Sequence, residues 1–446
     1  MIKIRNLTRT SLLLIAVSYI MAWSVGFQWR ENIIEYDVSR YYAYLPAILN
    51  HQDLTFSFLD ELPEEMLSDI DIRKNKTPDG NHYFNKMTVG LAWMYLPYYG
   101  LASLSSAIVA SDKDPFSNFY GAFILFGGMI YGLVGLYLVS KILRNHFQDS
   151  VTALVLICIA FASNFFNYTV AEGGMSHVYS FFLFSLLLFL SIRYFQNPRW
   201  KIAFFSGIVF GLIVLIRPTN SIVIIPVFLW GVYGKSAFSE RFDLLRKKLP
   251  HLIPFIMAML IIIAPQLYYW KTMTGSWIYY SYQNEGFDFL QPEILNGLLS
   301  YRKGWLVYSP VMLFSIAGLF LLFNRKYRSF LLPVLSFFII NLYIVFSWET
   351  WWYGGGFGAR ALVESYVFLA FPMAVFINFV LNKSRTVRIF LLFVTAFLIL
   401  LNLFQTYQYA KGILHRDSMT KKAYWHIFAK PNADVPERMF SPPSKK

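Results

Sequence analysis

Asp37 is the first residue whose type and position could do chemistry. It lies about ten residues after the first apolar run, in the segment 35–40 (EYDVSR). A carboxylate at that position could accept the proton of an attacking hydroxyl group as a general base. The alternative is a solvated loop acid that caps a helix starting near Ser39, because the segment 28–87 contains eleven acids.

Several cations border apolar runs on what should be the extracytoplasmic side of a membrane, where basic residues are expected to be rare. Ionisable groups at this depth are costly and often functional, and arginine can bind a phosphate group bidentately. The alternatives are a snorkelling interfacial lysine and arginines that pair with Glu172, Glu349 or Glu364 for structure only. The candidate phosphate-binding residues are Lys86, Arg217, Arg302, Lys303 and Arg360.

A third group of residues could contact a sugar or an acceptor. Glu172 and His177 frame a tight glycine-containing turn, where a helix-capping histidine is the alternative. Aromatic side chains could stack on sugar faces, or they could belong to the aromatic belt at the membrane interface. These aromatic candidates are Tyr41, Tyr42, Trp351 and Trp352, with Trp348 and Tyr353 beside the last two.

The elements that position these residues must be membrane-spanning helices. Hydrophobic residues make up 57% of the 446, charged residues only 14%, and the mean hydropathy is +0.46; soluble domains carry roughly 25% charged residues. The lone cysteine, Cys158, excludes an intrachain disulfide and a cysteine-based metal site. The net charge of +14 does not indicate nucleic-acid binding, because the excess lies in short loops between apolar runs.

Twelve apolar runs approach the roughly 20 residues that a helix needs to cross a bilayer. They are residues 8–27, 88–109, 118–140, 151–170, 177–195, 201–216, 219–234, 251–270, 306–323, 329–347, 362–381 and 387–405. The first, preceded by Lys3, Arg5 and Arg9, is predicted to be an uncleaved signal anchor with a cytoplasmic N-terminus. The predicted fold is an all-α polytopic membrane protein with about 11 transmembrane helices and juxtamembrane helices on the outer face.

Loop charge fixes the direction of the spans, since cytoplasmic loops are rich in Lys and Arg. The N-terminus and five short loops hold 19 of the 39 Lys and Arg residues but only three of the 25 acids. This asymmetry requires the segment 28–117 to begin and end outside, so the run 88–109 is interpreted as an interfacial or re-entrant helix. The alternative is a genuine crossing with a second, unrecognised one.

These directions predict one integral membrane domain over residues 1–446. A large first loop (28–117), a second loop (271–305) and the tail (406–446) should all be extracytoplasmic. No Walker loop, Rossmann glycine pattern or His/Cys metal spacing occurs, so the membrane rather than a cytoplasmic nucleotide should supply any activated donor.

This arrangement resembles the GT-C superfamily of membrane glycosyltransferases, which includes the protein O-mannosyltransferases, the lipid A aminoarabinose transferases and the RgtA/B/C/D-like group. The stretch 37–46 (DVSRYYAYLP) is similar to the start of the family's first outer loop. Lys86 and Gly90, followed by Leu96-Pro97, are similar to the start of its second juxtamembrane helix. The segments 217–220 (RPTN) and 356–360 (GFGAR) are similar to outer-face elements of the RgtA-like group.

The resemblance implies transfer of a hexose or pentose from a polyprenyl-phosphate carrier, with Asp37 as general base and inversion at the anomeric carbon. Lys86, Arg360 and Arg302 would stabilise the departing phosphate. The family often has a second acid beside its aspartate; the nearest here is Glu35, which leaves a divalent cation open. The acceptor could be a glycan, a lipid or a protein of the cell envelope, and the implied location is the bacterial cytoplasmic membrane.

Two other classes compete with this interpretation. A transporter or a lipid-linked-sugar flippase needs polar groups near the bilayer midplane, whereas the charges here cluster at the outer rim. An O-antigen polymerase or ligase places its large outer loop late in the chain, whereas the longest internal loop here follows the first span.

Overall fold

The computed structural model describes residues 6–26, 33–62, 70–109, 114–283 and 285–440. Lys3 and Arg5, which entered the charge argument, lie outside these residues. Within the described part, regular structure is helical, and the pairing of extended backbone is limited to two isolated bridges, Lys76–Tyr83 and Phe287–Trp348. The predicted all-α fold is confirmed.

The helices are numbered in chain order. They are α1 (Leu7–Gly26), α2 (Tyr36–Tyr42), α3 (Gly90–Val109), α4 (Asn118–Leu143), α5 (Asp149–Ala162), α6 (Ser176–Gln196), α7 (Trp200–Ile216), α8 (Ile224–Leu229), α9 (Lys235–Lys247), α10 (Leu252–Thr274), α11 (Ile294–Leu299), α12 (Leu313–Leu321), α13 (Arg328–Phe346), α14 (Tyr366–Leu381), α15 (Arg385–Ala410) and α16 (Lys421–Ile427). Short helical turns at Tyr44–Pro46 and Trp305–Tyr308, together with single 3₁₀ and π turns, connect them.

Seven helical segments in the described residues are long and apolar enough to cross a membrane. They contain α1, α4, α6, α10, α13, α14 and α15. Four shorter apolar segments, which contain α5, α7, α8 and α12, occupy the remaining runs predicted to span. The polytopic arrangement is therefore confirmed, while the number of crossings stays a prediction. Helix α3 is not among the seven, and its interfacial position also stays a prediction.

Contacts between the connectors show that the basic loops gather at one end of the helix bundle. Thr8 at the start of α1 donates from Oγ1 to Asp149 Oδ1 at the start of α5 (2.6 Å). The hydroxyl of Tyr194 near the end of α6 lies 3.1 Å from His251 Nδ1, just before α10. Helices α1, α6 and α10 have 20, 21 and 23 residues, so their other ends reach the opposite face of the bundle.

Close helix approach at the opposite face depends on glycine. A Cβ atom on Gly90, the first residue of α3, would lie 2.6 Å from the backbone nitrogen of Ile216 at the end of α7. Gly128 of α4 likewise faces the carbonyl of Gly173, where a Cβ atom has no room. Glycine permits such backbone contact between apolar helices. The first contact brings the segment that contains Lys86 next to the end of α7.

The predicted topology can be tested by cysteine labelling of intact cells with a membrane-impermeant reagent. Cys158 is buried and is replaced by alanine first. Single cysteines at Asp60, Leu290 and Gly355 should be labelled, because they are exposed in loops predicted to be extracytoplasmic. A cysteine at Lys247 should react only after permeabilisation. Labelling at 247 in intact cells would overturn the predicted orientation.

Candidate active site

The short helix α2 presents Asp37 at the opposite end of the bundle from the basic loops. Tyr36, just before it, adopts a left-handed backbone conformation (φ 46°), which is uncommon for a residue with a side chain. Val38 on the other side is buried, and its side chain fills the space above Gly174 in the turn before α6. The backbone is therefore turned so that Asp37, with 35% of its side chain exposed, points away from the core.

Arg360 forms an ion pair with Asp37. Its Nη2 donates to Asp37 Oδ2 (3.0 Å) and to the carbonyl of Tyr353 (2.6 Å). The other two guanidinium nitrogens of Arg360 have weaker contacts or none. Nη1 lies 4.0 Å from the sulfur of Met175, and the buried Nε has no hydrogen-bond partner. Asp37 Oδ1 accepts no hydrogen bond from the described residues. The pair thus retains Arg360 Nη1 as a donor and Asp37 Oδ1 as an acceptor for a ligand.

A glycine-rich loop holds Arg360 in this position. Gly354 and Gly358 have left-handed φ values of 66° and 62°, which glycine adopts without the steric cost other residues bear. Both backbone groups of Phe357 form hydrogen bonds with Tyr168. The N–H donates to the Tyr168 hydroxyl (2.8 Å), and the carbonyl accepts from that hydroxyl (3.1 Å). The loop is therefore anchored on the π turn that precedes α6.

Arg217, His177 and Glu364 form a second, more buried group. Arg217 Nη1 donates to Glu364 Oε1 (3.1 Å), and His177 Nδ1 lies 3.3 Å from both Arg217 Nη1 and Glu364 Oε2. Glu364 is 1% exposed and His177 3% exposed, so the carboxylate is surrounded by its two partners. A buried carboxylate needs such partners. Arg217 also stacks on the ring of Tyr353, 5.4 Å from its centroid.

Lys86 lies at the edge of the same face. Its Nζ is 2.7 Å from Glu285 Oε1 and 5.2 Å from the ring centroid of Tyr282. The preceding residue, Asn85, is fully buried and donates from Nδ2 to the carbonyl of Arg40 in α2 (2.6 Å). This bond fixes the distance between the segment carrying Lys86 and the helix carrying Asp37.

Tyrosine rings connect these three groups into one cluster. Burial raises the pKa of Tyr41; the negative charge of Asp37 raises it further, while Arg217 and Arg360 lower it. Burial likewise raises the pKa of Tyr353 to about 12, with Arg217 opposing the shift. Burial also raises the pKa of Tyr282, and the charge of Asp37 adds to the effect. Each ring is thus close enough to sense the charges of more than one group.

Arg302 and Lys303 lie in a neighbouring cluster that joins the second loop to the C-terminal segment. Arg302 pairs with Asp417 (Nη2 to Oδ2, 3.0 Å) and stacks on Trp352, 3.5 Å from the ring centroid. Lys303 is 2% exposed and donates to the carbonyls of Gly356 and Arg416.

Burial, followed by the nearby charge of Arg360, lowers the pKa of Lys303 to about 7. Through the carbonyl of Gly356, Lys303 binds the glycine-rich loop that holds Arg360.

The remaining predicted contact residues are dispersed around the cluster. Glu172 accepts from the Tyr409 hydroxyl (2.7 Å) at the end of α15. Trp351 packs edge-on against Trp352, with ring centroids 5.8 Å apart. Tyr42 is fully buried and donates to the carbonyl of Pro115, so it faces away from Asp37.

Tyr282, Glu285 and Glu364 were not among the predicted site residues. Glu364 had been named only as a structural partner for an arginine. Glu285 and Tyr282 lie in a loop without periodicity, and their sequence positions give no signal that they approach Lys86.

Among the residues that the structure describes, those around Asp37 do not offer the donor set of a divalent cation. No group of three or more His, Cys, Asp or Glu side chains that could hold a metal ion occurs among the described residues. The partner of Asp37 is the guanidinium of Arg360 rather than a second carboxylate. The cation that the resemblance leaves open therefore has no matching donor set in this part of the chain.

Comparison with known proteins gives one family and one fold. Residues 116–269, about a third of the chain, match the family of dolichyl-phosphate-mannose-protein mannosyltransferases. No curated protein matches the chain in sequence.

Two solved structures of an archaeal oligosaccharyltransferase from Archaeoglobus fulgidus share the fold. One, AglB with an inhibitory peptide and a dolichol-phosphate, has a TM-score of 0.51, 13% identity and coverage of 92% of this chain and 56% of that chain. The other, with Zn and sulfate, has a TM-score of 0.50, 15% identity and coverage of 95% and 56%. The present chain thus spans little more than half the length of that protein. The chain thus shares the fold of this oligosaccharyltransferase, and residues 116–269 are similar to the dolichyl-phosphate-mannose-protein mannosyltransferases.

Proposed function

We propose that the chain transfers a sugar from a polyprenyl-phosphate carrier to an acceptor hydroxyl group at the extracytoplasmic face of the membrane, with Asp37 as general base. The observation that carries this proposal is the contact between Asp37 and Arg360, which lie 323 residues apart in sequence and 3.0 Å apart in space. A proton acceptor and a phosphate-binding cation side by side are what a displacement at an anomeric carbon requires.

The residues would divide the reaction as follows. Asp37 Oδ1 takes the proton of the acceptor hydroxyl as its oxygen forms a bond to the anomeric carbon. The bond from that carbon to the phosphate oxygen breaks, and the electron pair leaves with the carrier phosphate. Arg360, with Lys86 at the edge, stabilises the negative charge that develops on the phosphate. A single displacement of this kind inverts the anomeric centre.

The surroundings of Lys86 suit a lipid-linked donor. An apolar cavity of about 370 Å³ lies between the turn after α2 and α10, and Val89, three residues after Lys86, lines it together with Tyr44, Tyr268 and Tyr269. A prenyl chain in this cavity would leave its phosphate near Lys86. The proteins matched by fold and family are described with dolichyl or dolichol phosphate, which supports a carrier of this chemistry.

The proposal is tested with the purified full-length protein in closed vesicles that contain polyprenyl-phosphate sugars labelled in the sugar. We expect the label to move to an acceptor extracted from cell envelopes, with release of free polyprenyl phosphate. A flippase would instead move the intact lipid-linked sugar across the bilayer, leaving the bond between sugar and phosphate unbroken. That result would overturn the transferase proposal.

Variants of Lys86 and Glu285 are expected to change the affinity for polyprenyl phosphate in opposite directions. Lys86→Ala should weaken binding of polyprenyl phosphate roughly 10- to 100-fold, since it removes one charge-assisted hydrogen bond. Glu285→Gln should strengthen binding, because the carboxylate of Glu285 occupies the position at Lys86 that an anionic phosphate would take. Binding is measured by titration of the carrier into the purified protein.

The matched control is Lys271→Ala, an exposed lysine whose Nζ donates only to the nearby carbonyl of Gly275. It should bind the carrier like the wild type. If Lys86→Ala also binds normally, the phosphate site lies elsewhere, and Arg302 and Lys303 become the next candidates.

A further inference from the structure

Helix α9 lies at the end of the bundle opposite to Asp37. The chain runs from Arg217, in the candidate active site, through α8 to α9. Helix α13 similarly starts at Arg328, beside α9, and ends next to the segment that leads to Tyr353 and Arg360. Since α13 has 19 residues, roughly 28 Å separate the two ends. Any ligand bound at α9 is therefore distinct from a donor bound at Asp37.

Helix α9 is attached to the bundle through Arg241 and through Phe238, whose ring packs edge-on against Phe228 (centroids 5.9 Å apart), and is otherwise largely uncovered. Arg241 donates from Nη1 to the carbonyl of Phe228 and from Nη2 to the carbonyl of Trp230, both at 2.8 Å. No residue of the helix is buried. Phe238 and Phe242, one turn apart on the same face, are 46% and 59% exposed. The helix thus presents an apolar face that the protein itself does not cover.

Between this face and α13 lies a cavity of about 440 Å³. Its walls are mainly apolar and include Val232, Phe238, Phe242 and Leu332. This volume is in the range of sites that bind small molecules. The cavity lies between two helices at the end of the bundle, a position that an acyl chain of a lipid could enter.

The rim of the cavity is basic. Lys235 lines the cavity directly, and Arg328 lies four residues before Leu332, on the same face of α13. The segment 235–248 carries five basic and two acidic residues, and 325–328 adds three basic residues without an acid. Of the two acids, Glu240 accepts a hydrogen bond from Ser236 within α9. The two segments that border the cavity therefore carry a net positive charge.

We propose that α9 and α13 form a binding site for an anionic phospholipid, with an acyl chain in the cavity and the headgroup phosphate between Lys235 and Arg328. An apolar cavity joined to a cationic rim matches both parts of such a lipid, and basic pockets between membrane helices recognise anionic headgroups. A zwitterionic lipid would fill the cavity without the charge attraction. The site is independent of sugar transfer, since it lies at the other end of the bundle.

The test is native mass spectrometry of the full-length protein in detergent, titrated with dioleoyl phosphatidylglycerol or dioleoyl phosphatidylcholine. The wild type should bind one phosphatidylglycerol at least about tenfold more tightly than phosphatidylcholine. The double variant Lys235→Gln/Arg328→Gln should bind phosphatidylglycerol roughly 10- to 30-fold more weakly and phosphatidylcholine as before. Ser239→Trp, which fills the cavity, should weaken the binding of both lipids.

The control is Lys383→Gln/Arg385→Gln, which removes two exposed charges at the same end of the bundle but away from the cavity. It should bind both lipids like the wild type. The proposal is wrong if the wild type does not distinguish the two lipids. It is also wrong if the control loses as much phosphatidylglycerol affinity as the rim variant, or if Ser239→Trp binds normally. Each of these three outcomes would mean that α9 contacts only unspecific surrounding lipid.

Discussion

Asp37→Asn is expected to lower the rate of sugar transfer by at least about 100-fold, because a general base contributes roughly 10²–10⁴-fold to such a reaction. The amide keeps the size of the carboxylate and can still accept from Arg360 Nη2, which lies 3.0 Å from Oδ2. It cannot take up the proton of an acceptor hydroxyl. The measurement is single-turnover transfer from a labelled polyprenyl-phosphate sugar, together with carrier binding and thermal unfolding.

The matched control is Asp53→Asn in the same loop. Asp53 accepts from Thr55, Ser57 and the backbone of Phe58, and these hydrogen bonds hold its pKa at about 2, despite an opposing effect of burial. Its role is to close a turn, so Asp53→Asn should transfer sugar at a nearly normal rate. Near-normal turnover by Asp37→Asn would falsify the base assignment. Loss of activity together with misfolding would support only a structural role.

Arg360→Ala is expected to lower the transfer rate roughly 10²–10³-fold, the loss seen when one donor to a developing negative charge is removed. The variant should also release Asp37, since Nη2 joins its carboxylate to the carbonyl of Tyr353. Arg360→Lys should recover only part of the loss, because an ammonium group lacks the planar fork that binds phosphate and carboxylate together. Rates are compared at saturating donor, so that chemistry is separated from binding.

Arg325→Ala is the control for Arg360, as an exposed arginine at the opposite end of the bundle. It should leave transfer and unfolding unchanged. If Arg360→Ala keeps the wild-type rate at saturating donor and only binds donor more weakly, Arg360 contributes to binding but not to stabilisation of the leaving phosphate.

The pattern of apolar runs was sufficient to predict the polytopic fold, because the periodicity and length of a spanning helix are local properties. The same information marked Lys86 and Arg360 as charges at the ends of apolar runs, and Asp37 as a carboxylate about ten residues after the first run. It could not predict that Asp37 and Arg360 meet, since their contact depends on how α2 docks on the turn at Gly174 and how the glycine-rich loop is anchored. Such tertiary contacts leave no local signature.

Two residues that complete the cluster were missed for a related reason. Glu285 and Tyr282 lie in the loop after α10, where the sequence contains several acids and many aromatics. Only the position of that loop over the segment 85–87 distinguishes them from their neighbours. Arg302 and Lys303 show the converse. Their charge marks them as candidates in the sequence, yet Arg302 pairs with Asp417, and Lys303 donates to the carbonyls of Gly356 and Arg416.

A structure of the protein with bound polyprenyl phosphate is the most direct test of the proposed function. The account predicts that the phosphate lies within hydrogen-bonding distance of Arg360 and Lys86, with Glu285 displaced and the prenyl chain in the cavity beside Val89. Asp37 Oδ1 should then face the open side, where an acceptor hydroxyl can approach. A phosphate bound at Arg302 and Lys303, or at the opposite end of the bundle, would contradict the account.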